Sequence, residues 1–243
     1  MEITSLTNNK VKQWVKYHEK KYRDQDQVFL IEGEHLIQEA HRFGLIQYII
    51  KLKDYECETY DYEVYEVTNE IMKKIAQSVS GSKVMALCKM MENNECLNDN
   101  VIMLDDVQDP GNLGMIIRSA VAFGYRDLIL SNKSVDLYND KVIRSTQGAL
   151  FQMNVIKTDL ESEITKRKQQ GYHVYGTALK NAKGLKETQK QNKHILIFGH
   201  EGKGISKIIL DLCDSYIFVE MANFESLNVA AAASICMYEM SQK

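Results

Sequence analysis

Apolar runs of strand length alternate with amphipathic helices in the second half of the chain, and this alternation limits the possible folds most strongly. VIMLDD (101–106) and DLIL (127–130) are separated by a predicted helix from about Leu113 to Phe123, with Ile116 and Ala120 in its apolar stripe. Two buried strands joined by a helix over this distance form a βαβ unit, which requires a parallel sheet. Further strands are predicted at 152–158, 172–177, 194–198 and 216–219, before a final helix from about Leu227.

The first ninety residues predict a smaller α/β unit with its own core. Short apolar runs predict its strands, and Thr68 is placed to cap a helix that contains Ile71 and Ile75. The polar stretch ENNECLNDN (92–100) then interrupts the pattern. We therefore predict a first domain over residues 1–91, a linker over 92–100 and a second domain over 101–243.

The composition is that of a chain that folds without disulfides or bound metal. Of its 243 residues, 44% are hydrophobic, which is enough for two cores. The 5 cysteines are odd in number and no two have CxxC spacing, which argues against a disulfide framework and a zinc cluster and favours the cytoplasm. No apolar run approaches the ~18 residues that a membrane span needs.

Positive charge is concentrated in one segment near the start of the chain. The net charge of −3 excludes a diffuse cationic coat, but residues 10–23, KVKQWVKYHEKKYR, combine six basic side chains with aromatic residues such as Trp14 and Tyr22. Such a segment can bind phosphates and stack on bases. It also has the pattern of an ordinary amphipathic helix with Val11, Trp14 and Val15 facing a core, and the sequence alone favours that interpretation.

Three loops that follow predicted strands have unusual compositions, and ligands bind at this end of the strands in open parallel sheets. The first is DDVQDPGNLG (105–114), where Asn112 can cap the following helix or face a ligand, and Arg118 lies further along that helix. The second is FGHEGKGIS (198–206), which surrounds Glu201 with glycines. Its GxxGxG spacing differs from that of dinucleotide-binding and P-loop motifs.

The third loop is VEMANFESLNVAAAAS (219–234). Ser226 is placed to cap the last helix, Asn228 falls in its first turn, and the alanine run requires close packing of another backbone. Taken singly, the three loops are also explained by helix caps, a surface arginine, a carboxylate at a helix N-terminus and a tightly packed helix pair.

Together and in this order, the loops resemble the three signature motifs of the SpoU family of RNA 2′-O-ribose methyltransferases, in the SPOUT class. The NxGxxxR motif is present as Asn112-Leu113-Gly114 to Arg118. KVIRSTQGALFQMNV (141–155) resembles the family's intervening segment, and residues 5–40 resemble its N-terminal substrate-binding domain.

This resemblance implies an α/β fold in which a parallel-sheet SPOUT domain with a C-terminal trefoil knot follows a small α/β RNA-binding domain similar to a ribosomal-protein fold. It implies S-adenosyl-L-methionine as cofactor, RNA as substrate with ribosomal RNA favoured, and a homodimer through the knot region. The family's essential polar residues fall here on Asn112, Arg118, Glu201, Ser226 and Asn228. Its cofactor contacts fall on Thr177, Gly199, Val219, Met221 and Leu227.

Two departures from the family pattern keep alternatives open. Glu220 stands where the family usually has proline, and Ala230 where it usually has serine. They favour the alternative of an inactive RNA-binding accessory protein of the same fold. Transfer RNA as substrate is a further alternative, because the sequence does not identify the RNA, and a nucleotide-dependent oxidoreductase is disfavoured by the glycine spacing. For Arg118 two roles are open: a base in a desolvated site, or a charged clamp on phosphate and alkoxide, which we favour.

Overall fold

The structure is a computed structural model that describes residues 1–79, 81–95, 97–222 and 226–242. The chain forms two compact units. The first consists of Met1–Met91 and Asp136–Phe151, and the second of Glu92–Val135 and Gln152–Lys243. This division differs from the predicted domain ranges, because the predicted linker groups with the second unit and residues 136–151 group with the first.

Most predicted helices and strands are present within a few residues of their predicted positions, but the short strands Glu2–Ile3 and Lys183–Gly184 were not predicted, and the basic segment, predicted as one helix, forms two. Up to residue 91 they are β1 (Glu2–Ile3), α1 (Asn9–Lys16), α2 (Lys20–Asp26), β2 (Val28–Glu32), α3 (Glu34–Arg42), β3 (Ile46–Leu52), β4 (Glu63–Val67), α4 (Asn69–Ile75) and β5 (Val84–Lys89). From residue 92 they are β6 (Asn100–Asp105), α5 (Pro110–Ala122), β7 (Asp127–Ser131), α6 (Asp140–Thr146), a 3₁₀ helix (Ala149–Gln152), β8 (Asn154–Thr158), α7 (Leu160–Gln169), β9 (His173–Thr177), β10 (Lys183–Gly184), a second 3₁₀ helix (Leu185–Glu187), β11 (His194–Gly199), α8 (Lys207–Asp211), β12 (Ser215–Phe218) and α9 (Val229–Ser241).

The first unit is built on a mixed sheet with the strand order β1-β4-β3-β5-β2. The pairs β1–β4 and β4–β3 are parallel, and β5 runs antiparallel to both of its neighbours. The basic segment forms α1 and α2, and Val11 and Trp14 of α1 are fully buried. Trp14 Nε1 also donates to the Tyr48 hydroxyl at 2.9 Å, so α1 has one face fixed in the core, as its apolar spacing predicts.

Residues 136–151 complete the core of the first unit. The Phe29 ring on β2 lies 4.7 Å from that of Tyr138 and 6.3 Å from that of Phe151, measured between centroids. The buried Arg23 guanidinium donates to the Asp136 carboxylate and to the Tyr17 carbonyl. The contacts made by Asp136, Tyr138 and Phe151 join positions more than 100 residues apart, which is why the local pattern places the segment in the second domain.

The second unit contains a parallel sheet, and this confirms the predicted α/β class. In the described part of the chain, its seven strands have the order β10-β12-β9-β11-β6-β7-β8 and all pair in parallel. The trefoil knot stays a prediction. No helix among the described residues is both long and apolar enough to cross a membrane.

Residues 92–100 are held to the second unit by a buried carboxylate. Asp127 accepts hydrogen bonds from the backbone and side-chain amides of Asn98 and from Asn154 Nδ2 at 2.8 Å. Asn154 also exchanges two hydrogen bonds with the backbone of Asn94. Separating a buried carboxylate from this many donors is costly, so these bonds hold the described part of the segment to the second unit. Cys96 lies outside the described residues.

Candidate active site

The first two predicted loops leave neighbouring strands of the parallel sheet. β6 pairs with β11, and Asp105 lies opposite Gly199 at their carboxyl ends. On the other side of β11 come β9 and then β12, from which the third loop departs. Because all these strands are parallel, their loops emerge at one edge of the sheet.

The first loop enters α5 through a cap that differs from the predicted one. The N-cap residue is Asp109, whose Oδ1 accepts from the backbone N–H of Asn112 at 2.9 Å. Pro110 occupies the first helical position, where its missing N–H leaves no intrahelical bond unmade. The expectation that Asn112 caps this helix is therefore wrong, and its side chain is free of that task.

Asn112 instead connects the second and third loops. Its Nδ2 donates to Glu201 Oε1 at 3.0 Å, and its Oδ1 accepts from Asn228 Nδ2 at 3.0 Å. A carboxylate can only accept, so the amide must turn its NH₂ toward Glu201 and its oxygen toward Asn228. We call this arrangement the Glu201–Asn112–Asn228 chain; it joins one predicted residue from each loop.

Asn228 has a second task at the start of α9. Its Oδ1 accepts from the backbone N–H groups of Ala230 at 2.9 Å and Ala231 at 3.3 Å, which makes it the N-cap. The prediction that Ser226 caps this helix is therefore wrong by two residues, and Asn228, predicted within the first turn, lies one residue before it. Ser226 lines a cavity instead.

Glu201 is ionised at neutral pH. Partial burial by itself would raise the pKa of this carboxyl, but hydrogen bonds from Asn112 Nδ2 and from the backbone amides of Asp109 and Gln108 outweigh that effect and lower the pKa. The two backbone bonds measure 3.0 Å from Asp109 and 3.3 Å from Gln108. The Glu201 carboxylate therefore holds the first loop by two of the loop's backbone amides as well as by the Asn112 side chain.

The glycine turn brings two stretches of backbone together. A Cβ atom at Gly199 would lie 2.2 Å from the carbonyl carbon of Gly204 and the nitrogen of Ile205. His200 and Gly204 form an isolated β-bridge, and Gly204 has a φ of +70°, which favours glycine. The turn is exposed from Glu201 to Gly204, and the His200 ring accepts from the Gly202 backbone N–H at 3.0 Å.

A cavity of about 500 Å³ lies between the glycine turn and the third loop. All the residues predicted to contact the cofactor line it, namely Thr177, Gly199, Val219, Met221 and Leu227. Glu201 and Ser226 also line it, whereas Asn112, Arg118 and Asn228 stand outside its lining.

Several residues that line this cavity lie outside the three loops' motifs, so the sequence analysis did not identify them. Leu179 and Lys180 come from the segment after β9, and Cys236 comes from α9. Burial, together with the charge of Glu220, raises the pKa of the Cys236 thiol to about 12, so it is protonated at neutral pH and has no nucleophilic role. Only the fold shows that these positions meet at the cavity.

Arg118 lies on α5 with its side chain exposed. Its neighbours in the helix, Ile116, Ile117 and Ala120, are buried, so Arg118 points away from the core as its spacing predicts. Its guanidinium has no hydrogen bond or ion pair with any residue of the described ranges. It is therefore available to a ligand.

The two departures from the family pattern have structural explanations. Glu220 lies beside β10, where a Cβ on Gly184 would come within 2.3 Å of its Oε1, and it is not part of the cavity lining. Ala230 is completely buried at the start of α9, which packs against α5. A hydrogen bond of 2.7 Å between the Ser119 and Ser234 hydroxyls joins the same two helices.

Sequence and structure comparisons agree with this geometry. Residues 99–238 match the SpoU rRNA Methylase family, and residues 8–86 match the MRM3-like substrate binding domain. The chain is 36% identical over 244 residues to the 23S rRNA (guanosine(2553)-2′-O)-methyltransferase RlmP of Bacillus subtilis, covering 98% of both chains.

Two solved structures resemble the whole chain. A protein of Porphyromonas gingivalis assigned to the TrmH family of RNA methyltransferases is 29% identical with a TM-score of 0.88, over 97% of this chain and 98% of that one. An S-adenosylmethionine-bound rRNA methyltransferase of Sinorhizobium meliloti is 25% identical with a TM-score of 0.88, over 99% and 97%. The family match spans more than half of the chain and coincides with the unit that carries the Glu201–Asn112–Asn228 chain, so this protein belongs to the SpoU rRNA methylase family.

Proposed function

We propose that this chain transfers a methyl group from S-adenosyl-L-methionine to a ribose 2′-hydroxyl of ribosomal RNA. The observation that carries the proposal is the position of the Glu201–Asn112–Asn228 chain, one member of which lines the cavity that contains every predicted cofactor contact. The Bacillus relative is named for a guanosine of 23S rRNA, so 23S rRNA is the first substrate to test.

The residues around the cavity suit this cofactor. Its volume of about 500 Å³ is that of a small-molecule site. Val219, Met221 and Leu227 offer apolar walls, the turn at Gly199 offers main-chain groups, and the Glu201 carboxylate favours a cation nearby. When bound, S-adenosylmethionine supplies an electrophilic methyl group on a sulfonium cation.

Arg118 acts on the RNA. A guanidinium in water is a very poor base, and Arg118 is exposed with no partner among the described residues, so nothing described there desolvates it. We assign it the charged role: it binds the phosphate next to the target ribose through two parallel N–H bonds and stabilises the 2′-oxygen as its proton passes to solvent water.

The remaining predicted residues position this machinery. Asn112 and Glu201 hold the start of α5, and so set the direction from which Arg118 approaches the ribose. Asn228 fixes the start of α9 and Ser226 shapes the third loop beside the cavity. Holding both reactants in line contributes several kcal/mol to such a transfer.

The protein works as a homodimer in the cytoplasm. Support comes from three large apolar side chains left exposed on the packed helices α5 and α9: Met115 is 51% exposed, Ile235 41% and Tyr238 52%. Large apolar side chains exposed on neighbouring helices are typical of an interface, and a two-fold axis would let the two copies cover each other's.

Labelled methyl transfer tests the function. The purified protein is incubated with tritiated S-adenosylmethionine and total RNA from a strain that lacks its gene, and the label is mapped. We expect label on a ribose of 23S rRNA and none in RNA from the parent strain. Cofactor binding by calorimetry without transfer to ribosomal or transfer RNA would instead support the inactive accessory protein.

A further inference from the structure

We propose that a recess between α1 and α2 binds one unpaired nucleotide of the RNA, with its phosphate on Lys12 and Lys16 and its base edge on Asp26. The recess has a volume of about 400 Å³, which suits a single nucleotide. It lies wholly within the first unit and is separate from the cavity lined by Gly199. The inference rests on the proposed function, because it assigns a second contact to the same substrate.

The wall formed by α1 is rigid. Trp14 is fully buried on the opposite face of the helix, where its ring lies 5.8 Å from that of Tyr65 in an edge-on contact. Asn8 caps the first turn by accepting from the Lys10 backbone N–H at 2.8 Å. Because this helix is already held in place, ligand binding to the recess costs little backbone conformational entropy.

Two lysines provide the phosphate contacts. Lys12 and Lys16 are exposed and four residues apart, so their side chains share one face of α1. In the described residues neither makes an ion pair. The Tyr22 ring lines the same recess, and Lys16 Nζ lies 5.4 Å from its centroid, which places an aromatic surface next to positive charge, as single-stranded RNA sites require.

Asp26 is the one carboxylate among the described residues that line the recess, and one of its oxygens is already used. Its Oδ2 accepts from the Tyr17 hydroxyl at 2.9 Å, and Gln13 Nε2 donates to that hydroxyl at 2.7 Å. Burial and the bond to Asp26 raise the pKa of Tyr17, so its hydroxyl stays a donor. Oδ1 of Asp26 accepts no hydrogen bond from the described residues, so it can accept one from a ligand in the recess.

This arrangement orients and selects the nucleotide. A carboxylate repels phosphate, so the phosphate goes to the lysines and the base goes to Asp26. Free carboxylate oxygens accept from exocyclic amino groups, which cytosine, adenine and guanine have and uracil lacks. The recess therefore prefers an amino-bearing base, and an unpaired one, because a paired base has that edge occupied.

Fluorescence anisotropy with labelled ten-nucleotide cytidine and uridine RNAs tests the recess. We expect the cytidine RNA to bind at least fivefold more tightly, and Asp26→Asn, which keeps the Tyr17 bond, to remove most of that preference. Lys12→Ala/Lys16→Ala should weaken the binding of both RNAs. It should also reduce the slope of log affinity against log salt concentration by about 1.4, since each phosphate contact to a single strand contributes ~0.7. Lys73→Ala/Lys74→Ala on α4 removes the same charge from another exposed face, and it should change neither the affinity for the two RNAs nor the salt-dependence slope.

The outcomes separate the recess from the methyl transfer. The proposed nucleotide site is refuted if both double variants weaken RNA binding equally, or if Asp26→Asn keeps the preference for the cytidine RNA. In transfer assays Lys12→Ala/Lys16→Ala should raise the KM for RNA with kcat and cofactor affinity unchanged; an unchanged KM also overturns it, while the transferase stands. If the parent protein transfers no methyl group but binds the oligonucleotides as described, the recess stands and the proposed function fails.

Discussion

Asn112→Asp replaces one heavy atom in the centre of the Glu201–Asn112–Asn228 chain, Nδ2 by an oxygen, and turns a hydrogen-bond donor into a negatively charged acceptor. The oxygen that accepts from Asn228 is kept, but the Nδ2 that donates to Glu201 at 3.0 Å becomes a second carboxylate oxygen. Two acceptors then face each other without a proton between them. Shape and volume are nearly unchanged, so the effect is confined to charge and hydrogen bonding.

The size of the effect follows from the distance and the exposure. Two unit charges about 3 Å apart repel by about 1.4 kcal/mol at the dielectric constant of water and by several times more inside a protein. The Glu201 side chain keeps a quarter of its accessible surface (25%), so solvent screens the pair and values between about 1 and 3 kcal/mol apply. At about 1.4 kcal/mol for each factor of ten, kcat/KM for RNA should fall about 5- to 150-fold at neutral pH.

The pH dependence gives a sharper measurement than the loss itself. The native Glu201 has a lowered pKa, so it is ionised at neutral pH in the parent protein. In Asn112→Asp the second charge raises the pKa values of the pair, and one carboxyl takes up a proton as the pH falls, which restores a donor between the two groups. The ratio of variant to parent kcat/KM should therefore rise between about pH 8 and pH 5.5.

Tritium transfer to 23S rRNA across this pH range provides the data, with thermal unfolding to check that the variant folds. Asn8→Asp is the matched control, because it makes the same chemical change at an exposed asparagine whose side chain bonds only to a backbone N–H among the described residues and faces no carboxylate there. A variant within threefold of the parent at pH 7.5, or a ratio that does not change with pH, would refute the electrostatic reasoning.

Three further changes test other parts of the site and fold. Gly199→Ala should abolish cofactor binding in calorimetry, since its Cβ would lie 2.2 Å from the Gly204 backbone, whereas Gly202→Ala, with its nearest neighbours 3.9 Å away, should bind normally; equal behaviour would contradict the packing argument. Arg118→Lys should lower kcat at neutral pH by at least tenfold with cofactor affinity and melting temperature unchanged, and full methylation would exclude the bidentate role. Phe29→Ala should destabilise the first unit by about 3–5 kcal/mol in urea unfolding, and a cost below about 1 kcal/mol would show that residues 136–151 add little to its core.

Much of the fold was predictable because its signals are local. The βαβ pattern over residues 101–130 and the Thr68 cap depend on neighbouring residues only, and the structure has both. The predicted cofactor-contact positions came from the resemblance to the family's motifs, and each lies at or after the carboxyl end of a strand. All of them line one cavity.

The side-chain tasks within the loops were not predictable in the same way. Asp109 and Asn112 are both good capping residues, and so are Ser226 and Asn228. Which of each pair caps the helix depends on contacts between residues far apart in the chain. Glu201, 89 residues from Asn112, accepts from its side-chain amide, and Asn228, 116 residues away, donates to its side-chain oxygen. A single sequence contains no record of such distances.

The return of residues 136–151 to the first unit has a consequence for protein engineering. An exchange of RNA-recognition halves between family members would ordinarily swap everything before residue 92 as one cassette. In such a chimaera β2 would come from one protein and Tyr138 and Phe151 from the other. The two rings that pack against Phe29 would then contact a side chain with which they did not evolve. A graft that preserves specificity therefore has to be cut from the chain in two pieces.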